Sequence, residues 1–557
     1  MDNLQIADCF SLLSKLMDIH GENSFKSKSY AAAAYTVEKT PLDILSVPDE
    51  QLFQIKGIGS SIGKQIIELR QTGRLNLLED YLQKTPDGVL EMLQIKGLGP
   101  RKIAVIWKEM EIENIGELLY ACNENRLLLY KGFGEKTQHN VRSAIEFYLN
   151  SKGSYLYAEI ESSALLLHQD LLQKFPHHAF EFTGSFARQM EIIDELEWVT
   201  TVDTSTLESV LGSDEFMMCE KSDLNIRFAT HTNLQLTFYK ATERNFGTIL
   251  FQTSCSAPFL QEWNQQFPSA ADFSSEKELF SAAGIPFIPS CRRENQSSIL
   301  ASRGANALPL IQPADVRGVI HSHSNWSDGR QSIEEMAIAA IEKGFEYLVI
   351  SDHSKSAFYA GGLNEERIKE QHRQIDALNE KLRPFKIFKS IESDILNDGK
   401  LDYSDQMLNT FDLVIASIHS NLKMTEEKAM QRLLTAIQNP FTTILGHMTG
   451  RLLLSRAGYP VDHHTIIDAC AAHDVTIELN AHPRRLDIDW RWIEYALEKQ
   501  VLISINPDAH HTSGFNDIRY GVLVAQKAGV VRENNLGCYS LTEFENFLQK
   551  RKEKKRR

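Results

Sequence analysis

Seven short apolar runs in the C-terminal half of the chain each end at a metal-binding residue type or a basic cluster, and this regularity limits the fold more than any other feature. In order they are RGVIHSH (317–323), EYLVISDH (346–353), FKSIESD (388–394), LVIASIHS (413–420), TTILGHM (442–448), VTIELNAH (475–482) and VLISINPDAH (501–510). Six of them place His321 and His323, His353, Glu392, His419, His447, and Asp508 with His510 at or just past the end of the run. Segments with helical spacing, such as IEEMAIAAIEK, EEKAMQRLLTAIQ and DWRWIEYALEK, separate the runs, so a parallel sheet or barrel is predicted. In such barrels the reactive groups gather at the C-terminal ends of the strands. Asp328, in the loop WSDG behind the first run, is a ninth candidate ligand.

A lone histidine beside an apolar run is ordinarily a core or surface residue, but the same placement at nearly every strand end is not a chance pattern. Imidazole and carboxylate donors without cysteine suit manganese, zinc or iron, and nine donors are too many for one ion. A cluster of two or three ions is therefore expected. Such a cluster acidifies a bound water and clamps the oxygens of an in-line displacement at phosphorus, which points to phosphoester hydrolysis. Arg451, Arg484 and Arg485, just past the fifth and sixth runs, are candidates to hold a substrate phosphate, with surface solvation an equally good account of each.

The pattern HSHSNWSDG, SDHSKS, Glu392, IHS, LGHMTGR, ELNAHPRRLDIDW and PDAHH resembles the PHP (polymerase and histidinol phosphatase) domain, in the version fused to bacterial family X DNA polymerases (PolX). The resemblance implies a distorted seven-stranded βα barrel with up to three metals, manganese or zinc. It would assign His321, His323, Glu392 and Asp508, the residues most directly tied to catalysis, to one ion. Glu392, His419 and His447 would hold a second, and Asp328, His353 and His510 a third. All nine positions match. In the polymerase branch the domain is a manganese-dependent 3′–5′ exonuclease, and related domains hydrolyse small phosphomonoesters.

At 557 residues the chain is long enough for about three or four domains, and 42% hydrophobic residues suffice for sizeable cores. No apolar run approaches the ~20 residues of a membrane span, and MDNLQIADCF lacks a signal layout, so a cytoplasmic protein without membrane contact is expected. Seven scattered cysteines with no CxxC pair point to free thiols. A net charge of −15 argues against a non-specific basic coat, so DNA must be held by local features. The basic tail QKRKEKKRR reads as a solvated, disordered end.

A more specific nucleic-acid signal is an internal repeat. QIKGIGSSIGKQIIEL (54–69), QIKGLGPRKIAVIWKE (94–109) and YKGFGEKTQHNVRSAI (130–145) each run Lys, Gly, apolar, Gly, then an amphipathic helix. The pairs Gly57 and Gly59, Gly97 and Gly99, and Gly132 and Gly134 make tight turns whose backbone N–H groups can receive a phosphate at a helix N-terminus. This helix-hairpin-helix pattern grips the DNA backbone without reading bases. The segment GENSFKSKSYAAAAYTVEKTP (21–41) also resembles the start of the family X N-terminal domain. The Schiff-base lysine of the family's repair branch corresponds to Gln65, beside Lys64, which leaves lyase chemistry without its usual amine.

The stretch TGSFARQMEIIDELEWVTT (183–201) resembles the nucleotidyltransferase signature, a Gly-Ser turn followed by two aspartates at i and i+2 on a strand. Gly184, Ser185 and Arg188 remain, but Glu195 and Glu197 stand at the paired positions, Gln235 at the third carboxylate, Ala187 at the first arginine, and QTSC (252–255) at a later FTGS turn. Glutamate lengthens each ligand by a methylene, and small misplacements cost on the order of a hundredfold. The neutral Gln235 cannot activate a primer hydroxyl. Magnesium should bind poorly here and templated synthesis should be lost or very weak, while the apolar framework should keep the fold. Asp194 could substitute only by a register slip onto the opposite strand face.

The expected organisation is an all-α helix-hairpin-helix region at 1–150, an α+β palm and thumb at 151–290, an aperiodic linker at 291–312 and a metal barrel at 313–557. The expected activity is removal of nucleotides from DNA 3′ ends, on primer-template or gapped substrates, by a monomer. A working gap-filling polymerase with proofreading, an inactive DNA-binding scaffold, and a small-molecule phosphatase are the alternatives.

Overall fold

The computed structural model describes residues 3–555 except 41, 43, 56, 151–152, 213–215, 231–232, 269–270 and 303–308. The chain forms two compact units, one of Met1–Asn123 with Tyr130–Tyr148, the other of Glu124–Leu129 with Leu149–Arg557.

The first unit is built of helices joined by short turns, with no strand among its described residues. Its three glycine turns share one construction. Gly57, Gly97 and Gly132 take φ of +99°, +92° and +98°, a left-handed backbone that glycine adopts without steric cost. The apolar residue between each pair, Ile58, Leu98 or Phe133, is buried and anchors the turn. Gly59 and Gly99 then cap the helices Ser60–Thr72 and Pro100–Lys108, and Gly134 directly precedes Glu135–Asn150.

The second unit holds two large sheets and a two-stranded antiparallel pair, Tyr155–Leu156 with Ile192–Ile193. Strands β1 (Phe180–Thr183), β2 (Glu195–Thr200), β3 (Phe216–Lys221), β4 (Asn225–Thr230) and β5 (Gln235–Lys240) form a mixed sheet in the order β1-β2-β5-β4-β3, with β2 and β5 parallel. Its core is aromatic, with Trp198 stacked on Phe238 at 5.2 Å. Three helices, Phe246–Thr253, Ala257–Gln266 and Glu276–Ala283, pack around Phe251, Trp263 and Phe280.

The larger sheet contains β6 (Gly318–Ser322), β7 (Tyr347–Ile350), β8 (Lys386–Asp394), β9 (Leu413–Ser417), β10 (Ile444–Leu445), β11 (Thr476–Asn480) and β12 (Ile503–Asn506), all parallel and in sequence order. The barrel nearly closes: β12 and β6 share no ladder, but a parallel bridge joins Ser322 to Ala509. The strands are buried on both faces, as parallel strands covered by helices must be. Closed on itself in this way, the sheet brings the seven strand ends to one rim.

Two segments differ from expectation. The basic tail is part of the helix Leu541–Lys555, which seals the other end of the barrel. Phe544 stacks on Tyr347 at 4.6 Å and meets Phe388 edge-on at 4.9 Å. Arg551 donates to the Thr442 carbonyl at 2.7 Å and Lys552 to Asp412 at 3.0 Å, so the cations are used in packing, and the last two residues lie outside the described set. The stretch after residue 290 is likewise structured, with a 3-10 turn at Ser290–Arg292 and a helix at Ser297–Ser302. Arg293 is fully buried, donating to Ser254 at 2.6 Å and to the Ile288 carbonyl at 2.8 Å, and ion-pairing with Glu276. Side-chain anchors of this kind leave no periodicity in the sequence.

All seven cysteines are unpaired. No described helix is long and apolar enough to cross a membrane. Because Phe544 fills the barrel floor with no exposed surface, Phe544→Ala should cost about 3–5 kcal/mol of stability, visible as a lowered melting temperature. A cost under about 1 kcal/mol in denaturant titration would show that the helix only rests on the barrel.

Candidate metal centre

The rim where the seven strands end gathers the nine predicted ligand residues. His321 and Glu392 lie within β6 and β8; His323, His353, His419, His447, Asp508 and His510 follow the ends of β6, β7, β9, β10 and β12 by one to four residues, and Asp328 comes from the loop after β6. His321 and Asp508 hold positive φ, +65° and +51°, a region that costs non-glycine residues on the order of 1–3 kcal/mol and persists only where surroundings enforce it.

Glu392 lies at the middle of the cluster. One of its oxygens sits 3.3 Å from His321 Nε2, 3.2 Å from His419 Nε2 and 3.1 Å from His447 Nε2, and the other 2.9 Å from His353 Nδ1. Asp508 Oδ1 reaches His323 Nε2 at 3.0 Å and His321 Nε2 at 3.4 Å. Asp328 faces His353 at 3.5 Å and His510 at 3.4 Å. Three groups bring ligand atoms within 4.8 Å of one another: His321, His323 and Asp508; His353, Glu392 and His419; and His323, Asp328, His353 and His510. His323 and His353 are thus shared between groups, a finer partition than the family pattern implies, and His447 reaches the cluster through Glu392.

The donor set fits divalent metal. Six of the nine residues (His321, His323, Asp328, His353, Glu392, His447) bury a ring nitrogen or carboxylate oxygen that has no hydrogen-bond partner. Such atoms are costly unless a cation meets them. Burial alone would discharge these groups, and it does lower the pKa of His323 and His447, but at Glu392 and His321 the attraction of opposite charges outweighs it. Desolvation opposes the charge on Glu392, yet His419, His321 and His353 hold its carboxyl well below the usual range. Desolvation likewise opposes a charged His321, and Glu478, Asp508 and Glu392 raise it well above an ordinary imidazole.

Two carboxylates that orient the ligands were not among the predicted residues. Glu478, fully buried on β11, accepts from His321 Nδ1 at 2.6 Å, from Asn506 at 2.7 Å and from the His447 backbone N–H at 3.0 Å. Asp394, at the end of β8, accepts from His419 Nδ1 at 2.7 Å. A glutamate inside the all-apolar run VTIELNAH was the available signal, since charge on a doubly covered strand needs a buried partner.

The three arginines part company. Arg485 is buried with Nε 3.9 Å from Asp508, beside the ligand shell. Arg451 and Arg484 are committed elsewhere: Arg451 to Asp489 at 2.5 Å and the Arg485 carbonyl at 3.0 Å, Arg484 to Glu159 at 2.6 Å. Neither is a solvated surface residue, and neither points its paired nitrogens at the cluster.

In the palm, β2 and β5 pair Glu195 with Gln235 in register, so the three expected positions do adjoin. Glu195 and Gln235 are half-buried, and only Glu197 is turned fully inward. Glu197 is buried and accepts from Tyr239 at 3.0 Å and from the Ser185 backbone N–H at 3.2 Å, and Thr237 donates to Glu195 at 2.9 Å. A Cβ on Gly184 would fall 1.4 Å from the Glu197 carboxylate, so this longer side chain fills the Gly-Ser turn. Burial and then Glu195 raise the Glu197 pKa, weakening it further as a metal ligand. Arg188 is paired with Glu294 at 3.2 Å, and Lys527 reaches the same carboxylate at 2.8 Å. Asp194 lies just before β2 and accepts from Ser154 at 2.6 Å.

Two outcomes follow from these contacts. Glu478→Gln should weaken metal binding about 10–100-fold through loss of His321 orientation, read by titration of the metal-free protein, while unchanged affinity would mean that Glu478 only packs. Gly99 offers a clean test of the hairpins, because a Cβ there has nothing within 4 Å and its φ is −90°, whereas Gly97 needs its positive φ. Gly99→Val should weaken DNA binding equally across sequences, alone or with Gly97→Val; a loss confined to some sequences, or none, would contradict a phosphate-holding role.

Comparison with known proteins agrees with this arrangement. Residues 1–75 match a helix-hairpin-helix domain and residues 320–482 a PHP domain. The DNA polymerase/3′-5′ exonuclease PolX of Bacillus subtilis is 31% identical over 99% of this chain and 100% of its own length. A probable phosphatase of Vibrio parahaemolyticus is 29% identical over 41% of this chain and 91% of its own length. A probable phosphatase of Caldanaerobacter subterraneus is 28% identical over 29% of this chain and 60% of its own. The phosphatases match part of the chain, whereas the PolX match runs its whole length: the chain belongs to the bacterial PolX family and carries a C-terminal PHP domain.

Proposed function

We propose that this protein removes nucleotides from DNA 3′ ends by metal-dependent phosphodiester hydrolysis in the barrel, and that its palm does not polymerise. The observation that carries the reading is the convergence of nine imidazole and carboxylate residues, seven of them buried and six with an unpartnered buried atom, on one rim. Two or three divalent ions there, manganese or zinc, would supply Lewis-acid charge and an activated water. His321, His323, Glu392 and Asp508 would hold the ions nearest the reacting phosphate. Glu392, central to four imidazoles, is the residue whose loss disrupts most of the shell. Arg485, buried at the edge, would attract a phosphate oxygen. The glycine turns of residues 1–150 would hold the DNA backbone, which a small-molecule phosphatase would not need.

The palm reading rests on Glu197 filling the Gly-Ser turn, on the neutral Gln235, and on the commitment of Arg188 to Glu294. A nucleoside triphosphate with magnesium would find no paired short carboxylates and no free guanidinium at that turn. We assign residues 151–290 to a structural palm and thumb and 313–557 to hydrolysis in a monomeric, cytoplasmic protein. The segment 291–312 connects them.

Glu392→Ala should abolish 3′ hydrolysis and leave DNA binding intact; activity near the wild-type level would sink the assignment. With hydrolysis silenced by His321→Ala, the protein should not extend a gapped primer with magnesium or manganese. Robust templated extension by that variant, without Glu195→Asp, Glu197→Asp and Gln235→Asp reversions, would instead establish a gap-filling polymerase.

A further inference from the structure

Three histidines of the shell repeat one arrangement. In His321 and His419, Nε2 faces Glu392 at 3.3 and 3.2 Å, while Nδ1 meets an outer carboxylate, Glu478 at 2.6 Å or Asp394 at 2.7 Å. In His510, Nε2 faces Asp328 at 3.4 Å and Nδ1 meets the carboxylate of Glu124. Glu478 and Asp394 sit on barrel strands. Glu124 comes from far earlier in the sequence, in the short segment Glu124–Leu129 that belongs to the second unit although the chain on either side belongs to the first.

That segment is firmly seated. Its 3-10 turn, Arg126–Leu129, buries Leu127 completely, and the Arg126 guanidinium lies 4.4 Å over the ring of Tyr359. Glu124 itself is only 4% exposed, so its charge has little water to meet it. A buried carboxylate needs an opposite charge or a donor; Glu124 Oε2 makes no other hydrogen bond, and the His510 ring is its ion-pair partner.

We propose that Glu124 is a positioning residue of the metal centre, accepting the Nδ1 proton of His510 and fixing the ring with Nε2 toward Asp328. A neutral imidazole that binds metal through one nitrogen keeps a proton on the other. An acceptor there sets the tautomer, fixes the ring rotation and raises ligand basicity. The Asp508 carbonyl lies 3.0 Å from the same nitrogen, but it is neutral and adds less basicity than a carboxylate. The two ring nitrogens point away from each other, so Glu124 on Nδ1 does not share an ion held at Nε2. The group His323, Asp328, His353 and His510 therefore depends on a residue outside the barrel sequence. A barrel cut free at residue 313 would lack it.

This inference rests on the metal-centre reading, and one experiment separates the two. The full-length protein and its Glu124→Gln and Glu124→Ala variants are stripped of metal and equilibrated with a buffered series of manganese concentrations. Bound manganese per chain is then measured by mass spectrometry, and melting of the metal-free proteins reports the fold. Glu124→Gln keeps the shape and removes the charge. It should weaken one class of site about 10–100-fold, leave the others unchanged, and melt like the wild type when metal-free. Glu124→Ala should weaken the same class at least as much. Identical titrations of wild type and Glu124→Gln would overturn the proposal alone. Weakening of all sites together with a lowered metal-free melting temperature would also overturn it, marking Glu124 as a packing residue. A wild type that binds no manganese would overturn the metal-centre reading and the proposal with it.

Discussion

Burial of imidazoles and carboxylates at one end of a parallel barrel is the constraint on which the rest of this molecule depends. An isolated charge in such a place would be prohibitively expensive, and a matched pair with unmet lone pairs is at best neutral. The shell becomes tolerable because each charge has several opposite neighbours and because orphaned donor atoms converge where a divalent cation can sit. The outer carboxylates Glu478 and Asp394 extend the same balance to the far nitrogens of His321 and His419. The left-handed backbone at His321 and Asp508 is held in place by this packing.

The palm shows the opposite development. Its five-stranded sheet and aromatic core are intact, and its polar residues serve cohesion within the second unit. Lys527 joins Glu294 and donates to the Arg188 carbonyl at 2.8 Å. Arg519 pairs with Glu161, and Arg484 with Glu159. Lys527, Glu294, Arg484 and Glu161 are largely buried, which strengthens these attractions and holds residues 151–290 to the barrel.

Much of this was legible in the sequence because the informative features are periodic. Seven apolar runs predicted the barrel and brought eight candidate ligands to one rim, with Asp328 joining from the loop after the first, and three Gly-apolar-Gly turns predicted the hairpins. The missing pieces depend on contacts between distant residues. Glu478 looked like part of an apolar run. Glu124 had no motif, since only folding brings it to His510. The roles of Arg451 and Arg484 depended on Asp489 and Glu159, which no spacing linked to them. The tail read as a solvated run of cations because its apolar anchors, Phe544 and Leu548, come just before the charge begins.

An end-labelled, gapped primer-template incubated with the full-length protein and manganese, with and without the four nucleoside triphosphates, tests the central claim most directly. Stepwise shortening of the primer from its 3′ end, unchanged by nucleotides, is the result the account predicts. Lengthening of the primer in their presence, or no cleavage at all, would contradict it.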